Sequence, residues 1–171
     1  TIYDPKKYSL PSFRSILTSD MKRDLPKYIS NYANKDIQVS NVADIVEFNN
    51  KDTFIHAPYG QDIFNEIKED KVSDSELEQM KINTKSQATN YLNNIMANND
   101  FDIFISIDNR MAGIAAAAHF PALTIPMGYR NDGQPSNITF IAKSKNEQLL
   151  YNVAYIYENQ SKRRIAPKKY N

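Results

Sequence analysis

The sequence contains no cysteine. Disulfides and thiolate metal sites are therefore excluded, and the redox state of the compartment leaves no mark on the chain. Glycine is nearly as scarce, with four in 171 residues. So few glycines are expected only where the backbone needs their freedom. No phosphate-cradling G-x-G-x-x-G or G-x-x-x-x-G-K-[ST] occurs, and no serine sits in a G-x-S-x-G elbow. Surplus charge is missing too. A net charge of +1 gives no electrostatic reason to expect nucleic acid or an acidic membrane as partner. No apolar run approaches the roughly 20 residues needed to cross a bilayer. The first residues, TIYDPKKYSLPSF, lack the apolar segment of a signal peptide, so the expected location is cytoplasmic. The two histidines, His56 and His119, lie far apart, and neither has a second nitrogen ligand at helical spacing. Neither a metal site nor a cofactor is expected.

What is present is an ordinary globular balance, 41% hydrophobic and 24% charged, in a length that suits one domain. The chain reads as a single domain or fragment, residues 1–171, in two parts. Residues 1–99 are helical and polar. Phe13, Ile16, Leu17, Met21, Leu25, Tyr28 and Ile29 recur at helical spacing from Ser12 towards Tyr32, with Pro26 expected to kink or divide that helix. Ser40 and Asn41 are capping candidates for a helix over Asn41–Asn49. A loop ending in Pro58-Tyr59-Gly60 precedes a short helix over Gln61–Lys68. The longest helix should start at Ser73, whose spacing to Glu76 is that of a capping box, and end at Asn98-Asn99.

From residue 100 to 171 the pattern becomes sheet-forming, closed by a helix. Phe101–Ile107 and Ala122–Met127 are rich in strand-forming residues, with a helix-favouring Met111–Ala118 between them. The gap of about fourteen residues is long enough for a crossover to a parallel neighbour. Asn131-Asp132-Gly133 signals a turn, returned by an antiparallel strand over Asn137–Ala142. Ser144 and Glu147 have capping-box spacing for a last helix to about Lys162. The cations Lys162, Arg163, Arg164, Lys168 and Lys169 read as a helix C-terminus followed by a solvated tail. The fold class is α/β, a partial mixed sheet with covering helices. Three strands are few for so many helices, so neighbours on another chain or on a further part of this one are expected. The carboxylate pairs Asp20/Asp24, Asp70/Asp74 and Asp74/Glu78 read as solvated helix faces rather than an acid and a base. No local constellation of nucleophile, base and oxyanion donors is found.

One stretch carries a resemblance. Residues 112–135 read A-G-I-A-A-A-A-H-F-P-A-L-T-I-P-M-G-Y-R-N-D-G-Q-P, continuing through Ile138–Ile141, Glu147–Leu150, Tyr157-Glu158, Arg163-Arg164 and Pro167. Upstream, Asp20–Leu25 with Tyr28, Val42–Asn49 and Tyr59–Asp62 add patches in the same order. This resembles the C-terminal region of the amidase-signature family of serine amidohydrolases. The resemblance implies the C-terminal part of that fold. It also implies that the family's serine nucleophile, second serine and lysine belong to an upstream glycine- and serine-rich segment that these residues do not contain. No catalytic residue is carried over. The chain alone is expected to be inactive, with a small amide substrate only in a complete enzyme. Family members carry glycine where this chain has His119, and near Asn137 and Ala142.

Substrate contacts are expected at Asp108, Asn109, Arg110 and Met111, because ligands gather at the C-terminal ends of strands in α/β sheets. The expected partner is the missing N-terminal catalytic part. The alternative is a stand-alone, non-catalytic protein that self-associates or binds a partner through an exposed sheet edge. Unrelated chemistry built on His56 or His119 is a third reading.

Overall fold

The computed structural model describes Leu10 and Ser12–Ala166. Lys168, Lys169 and Pro167 lie outside the described residues, as does most of the N-terminal segment. The described residues divide into two compact units, one of residues 12–82 and the other of residues 83–166.

The first unit holds α1 (Phe13–Tyr32), α2 (Val42–Asn50), α3 (Thr53–His56), α4 (Asp62–Glu69) and the start of α5 (Asp74–Asn98). Pro26 sits inside α1 without dividing it. Asn41 caps α2: its side chain accepts from the Ala43 and Asp44 amides, while Asp44 accepts from the Asn41 amide. The expected box at Ser73 forms as well, with Ser73 N–H donating to Glu76 Oε2 at 2.8 Å and Glu76 N–H to Ser73 Oγ at 3.3 Å. A small core of Val42, Val46 and Ile67, with Leu25 and Phe64 against it, joins α1, α2 and α4. The loop before Pro58 contains α3, which the sequence pattern does not show. It is four residues long, capped by the Asp52 side chain, and Phe54 and Ile55 are exposed, so no apolar period marks it.

Two of the carboxylate pairs are not merely solvated faces. Arg23 lies 2.8 Å from the Asp74 carboxylate and 3.7 Å from that of Asp70, whose side chain is only 10% exposed. Asp20 pairs with Lys81 at 2.8 Å.

In the second unit, α5 ends at Asn98 as expected. Asp100 takes a left-handed conformation, and the Phe101 amide returns to the Met96 carbonyl. Then follow β1 (Ile103–Ile107), α6 (Ala112–Ala118), β2 (Ala122–Tyr129), β3 (Pro135–Ala142) and α7 (Glu147–Ser161). The sheet order is β1-β3-β2, and both pairings are antiparallel. The α/β class holds, but the mixed pairing does not occur among the described residues. β1 and β2 do run in the same direction; β3 inserts between them, because the hairpin after Asn131-Asp132-Gly133 brings it back into the gap. Gly133 (φ +83) supplies the left-handed residue of that three-residue hairpin loop. Gly128 (φ +137) adjoins the register shift between Pro126 and Gly128.

One sheet face carries Ile125, Phe140 and Ala142, packed against Leu150 and Ala154 of α7, with Ile103, Leu123, Ile138, Val153 and Tyr157 around them. The Ser144 capping box is not formed. Lys145 adopts φ 65, closing a turn in which Asn146 N–H reaches the Lys143 carbonyl, so the helix begins only at Glu147. The helix ends at Ser161 with Lys162 left-handed, so the basic cluster lies beyond its last turn rather than within it.

His119 occupies the left-handed position just after α6 (φ 56, ψ 38). The Phe120 amide bonds to the Ala115 carbonyl and the His119 amide to that of Ala116, the Schellman pattern that favours glycine at this place. This is the physical reason for a glycine there in the resembling family. Replacing His119 by glycine removes the left-handed penalty but adds unfolded-chain entropy. The net expectation is a gain of up to about 1 kcal/mol. Thermal unfolding followed by circular dichroism measures it; a lower midpoint for H119G would contradict this account.

Candidate functional site

β1 ends at Ile107 because Asp108 turns the chain with φ 52. The turn is pinned to β3 by hydrogen bonds at every polar group of Asp108. Its backbone N–H donates to the Asn137 carbonyl at 2.8 Å, and its Oδ1 accepts the Asn137 amide at 2.9 Å. Arg130, at the mouth of the β2–β3 hairpin, donates from Nη2 to Oδ2 at 2.7 Å. The Asp108 carbonyl accepts from the hydroxyl of Thr139. Since that proton is committed, the 2.8 Å contact between the Thr124 and Thr139 hydroxyls has Thr124 as donor. A line of three groups, Thr124, Thr139 and Asp108, thus runs from the outer strand β2 across β3 to the turn.

The remaining members of the expected cluster are contiguous but differ in surroundings. Asn109 and Arg110 are exposed. The Asn109 carbonyl accepts from Ala112 N–H at 2.9 Å, closing the turn that leads into α6. Met111 is 1% exposed, placing its side chain in the core. Sequence spacing does not reveal Arg130, Asn137, Thr124 or Thr139 as partners. They meet the turn only through the β1–β3 register, in which Ile107 lies opposite Ile138.

The electrostatics follow from these contacts. The Asn137 backbone N–H holds the Asp108 carboxyl below its ordinary value. Partial burial opposes this, and Arg130 and then Arg110 add attraction. At neutral pH the group is a carboxylate with both oxygens engaged, suited to holding the turn and not to abstracting a proton. The sign of its stability contribution follows. Because the folded value lies below 3.8, the contribution is complete above that pH and is lost as pH falls through the folded value. Asp108→Asn is therefore expected to lower the unfolding midpoint by a few degrees at neutral pH. The gap to the wild type should narrow as pH falls below the ordinary carboxylate value and through the folded one. Thermal unfolding of both proteins at neutral and at acid pH checks this; a gap that persists unchanged in acid would contradict it.

The histidines are placed elsewhere. His56 stacks on Phe48 with centroids 4.3 Å apart, and its Nδ1 donates to the Phe48 carbonyl at 3.1 Å. His119 is exposed at its helix end. Among the described residues no group of three His, Asp or Glu side chains gathers as a metal would need. Nor is any described helix long and apolar enough to cross a membrane.

No protein-family model matches the sequence, and no curated protein is significantly similar to it. Solved structures do match. An amidase family protein from Bacillus anthracis superimposes with a TM-score of 0.82 at 28% identity, over 94% of this chain and 31% of that one. The native peptide amidase from Stenotrophomonas maltophilia gives 0.79 at 20% identity, over 95% and 36%. The chain therefore spans about a third of the length of these structures, and over that third it carries the fold of the amidase family.

Proposed function

We propose that these residues form the C-terminal portion of an amidase-signature amidohydrolase, whose complete form hydrolyses carboxylic amide bonds. The observation that carries this is the likeness to the Bacillus amidase family protein over 94% of this chain but only 31% of that one. On this reading the chain is scaffold. It supplies strands and one wall of the substrate pocket, while the serine–serine–lysine machinery is contributed by the N-terminal catalytic part, its expected partner. The hydrogen-bonding of the Asp108 turn supports a structural rather than catalytic role: its carboxylate is fully engaged, and no nucleophile is bonded to it. Substrate contacts from the turn Asp108–Met111 then fall to Asn109 and Arg110, whose side chains are exposed. Their amide and guanidinium groups offer hydrogen bonds to a small amide substrate.

The test is reconstitution. The polypeptide encoded immediately upstream, if it carries the lysine and the glycine- and serine-rich signature, is co-expressed with this chain and assayed on primary amides. Hydrolysis by the pair, lost when the upstream serine nucleophile is replaced by alanine, is expected. An upstream sequence without that signature, or an inert stoichiometric complex, would overturn the proposal.

A further inference from the structure

We infer that Arg110 makes the assembled enzyme selective for amides that carry a second, negatively charged group, a carboxylate above all. The inference rests on the functional reading above and names the substrate class for the same turn.

Two arginines attend this turn, with different duties. Arg130 donates from Nη2 to Asp108 Oδ2 at 2.7 Å, and the other Asp108 oxygen accepts the Asn137 amide at 2.9 Å. One guanidinium and one carboxylate thus cancel in a closed pair. Arg110 makes no side-chain hydrogen bond among the described residues. It acts on Asp108 through charge alone, and less strongly than Arg130 does. Its neighbours supply no alternative. Between Asp108 and His119 the only ionisable side chain is that of Arg110. The helix that follows, α6, is alanine, glycine and isoleucine throughout. The acid of the hairpin, Asp132, turns Oδ1 back to Gln134 N–H at 3.0 Å. The turn is left with one positive charge that no neighbour matches by a bond.

The guanidinium is unpaired, but its backbone is held. Asp108 is fixed to β3 on one side, and Met111, 1% exposed, anchors the other side in the core. Arg110 N–H reaches back to the Ile107 carbonyl at 3.4 Å. Only the side chain remains to be ordered when it meets a ligand, which lowers the entropic cost of the contact. Its parallel N–H donors match the two oxygens of a carboxylate. In a pocket closed by the N-terminal part, a cation without a counter-charge is destabilising. A substrate with a carboxylate brings that charge, and a neutral amide does not. Selectivity then comes from the penalty on the wrong substrate as well as from attraction to the right one.

The test uses the complex of this chain with the upstream polypeptide, assayed on two primary amides. Succinamate bears a carboxylate; isocaproamide is its neutral isostere. A higher kcat/KM for succinamate is expected. Arg110→Gln should lower kcat/KM on succinamate by about thirtyfold, the effect of losing hydrogen bonds to a charged group, and on isocaproamide by no more than about threefold. Arg110→Lys should recover part of the loss, since the charge remains but the paired donors do not. The exposed position predicts an unchanged circular dichroism spectrum for both variants. Equal use of the two amides by an active complex would overturn the inference and leave the amidase reading standing. So would a loss in R110Q that strikes both amides alike or weakens the complex on a sizing column, the result expected if Arg110 binds an acid of the N-terminal part instead. A complex that hydrolyses neither amide would overturn the amidase reading, and the inference with it.

Discussion

Truncating Phe140 to alanine is expected to cost the sheet unit about 3–5 kcal/mol, the usual range for a fully packed aromatic side chain. Phe140 is 3% exposed on the middle strand. It stands opposite both Ile105 of β1 and Leu123 of β2. Its ring meets Tyr157 of α7 edge-on, with centroids 6.0 Å apart. Those contacts join strand, strand and covering helix at one point, so the gap left by alanine cannot be closed by moving a single neighbour. Phe54 is the internal comparison. It is the same residue type but 88% exposed on α3, and Phe54→Ala should change stability by no more than about 0.5 kcal/mol. Urea unfolding monitored by circular dichroism and by tyrosine emission reads both variants. Equal losses at the two positions would mean that the α7–sheet core is not what holds this unit.

The second large effect is expected at Arg23. Its guanidinium reaches three places at once: the Asp74 carboxylate at 2.8 Å, the Val72 carbonyl at 2.6 Å and the Ser19 carbonyl at 3.0 Å, with Asp70 at 3.7 Å. Lys22 adds bonds to the Lys68 and Asp70 carbonyls. Neighbouring cations of α1 thus fasten the connection between α4 and α5, a stretch with few apolar contacts of its own. Arg23→Ala removes the bonds and leaves the Asp70 carboxylate, with its 10% exposed side chain, without its counter-charge. The helical unit should lose roughly 5–10 °C of thermal midpoint. Amide exchange at residues 70–74 should quicken more than at Val46 in the core. Arg23→Lys should recover only part of the loss, since an ammonium cannot span three acceptors in one plane. A variant with unchanged exchange in that connection would show that the pairing is incidental.

What the sequence revealed of this architecture was local. Asn41, a capping candidate, and Ser73, spaced for a box with Glu76, both form their caps because little else competes for them. Asn131-Asp132-Gly133 likewise specifies its own hairpin. Where a distant or conformational term intervenes, the reading departs from the fold. Ser144 and Glu147 have the right spacing, but the left-handed Lys145 closes a turn between them. The strand gap permits a parallel neighbour for β1, but the hairpin returns β3 into that place. The candidate turn shows both limits. Its location after β1 was legible from strand and helix patterns. The use of Asp108 as a tie for Asn137, Arg130 and Thr139 depends on strand register and on partners 22 to 31 residues away.

The role proposed for this chain is that of scaffold within an amidase rather than its catalyst. It is tested most directly by exposing the purified chain to a fluorophosphonate that labels activated serines, alongside hydrolysis assays on primary and peptide amides. The account predicts no stoichiometric label and no turnover above buffer. A single serine labelled in step with inhibitor-sensitive amide hydrolysis would contradict it.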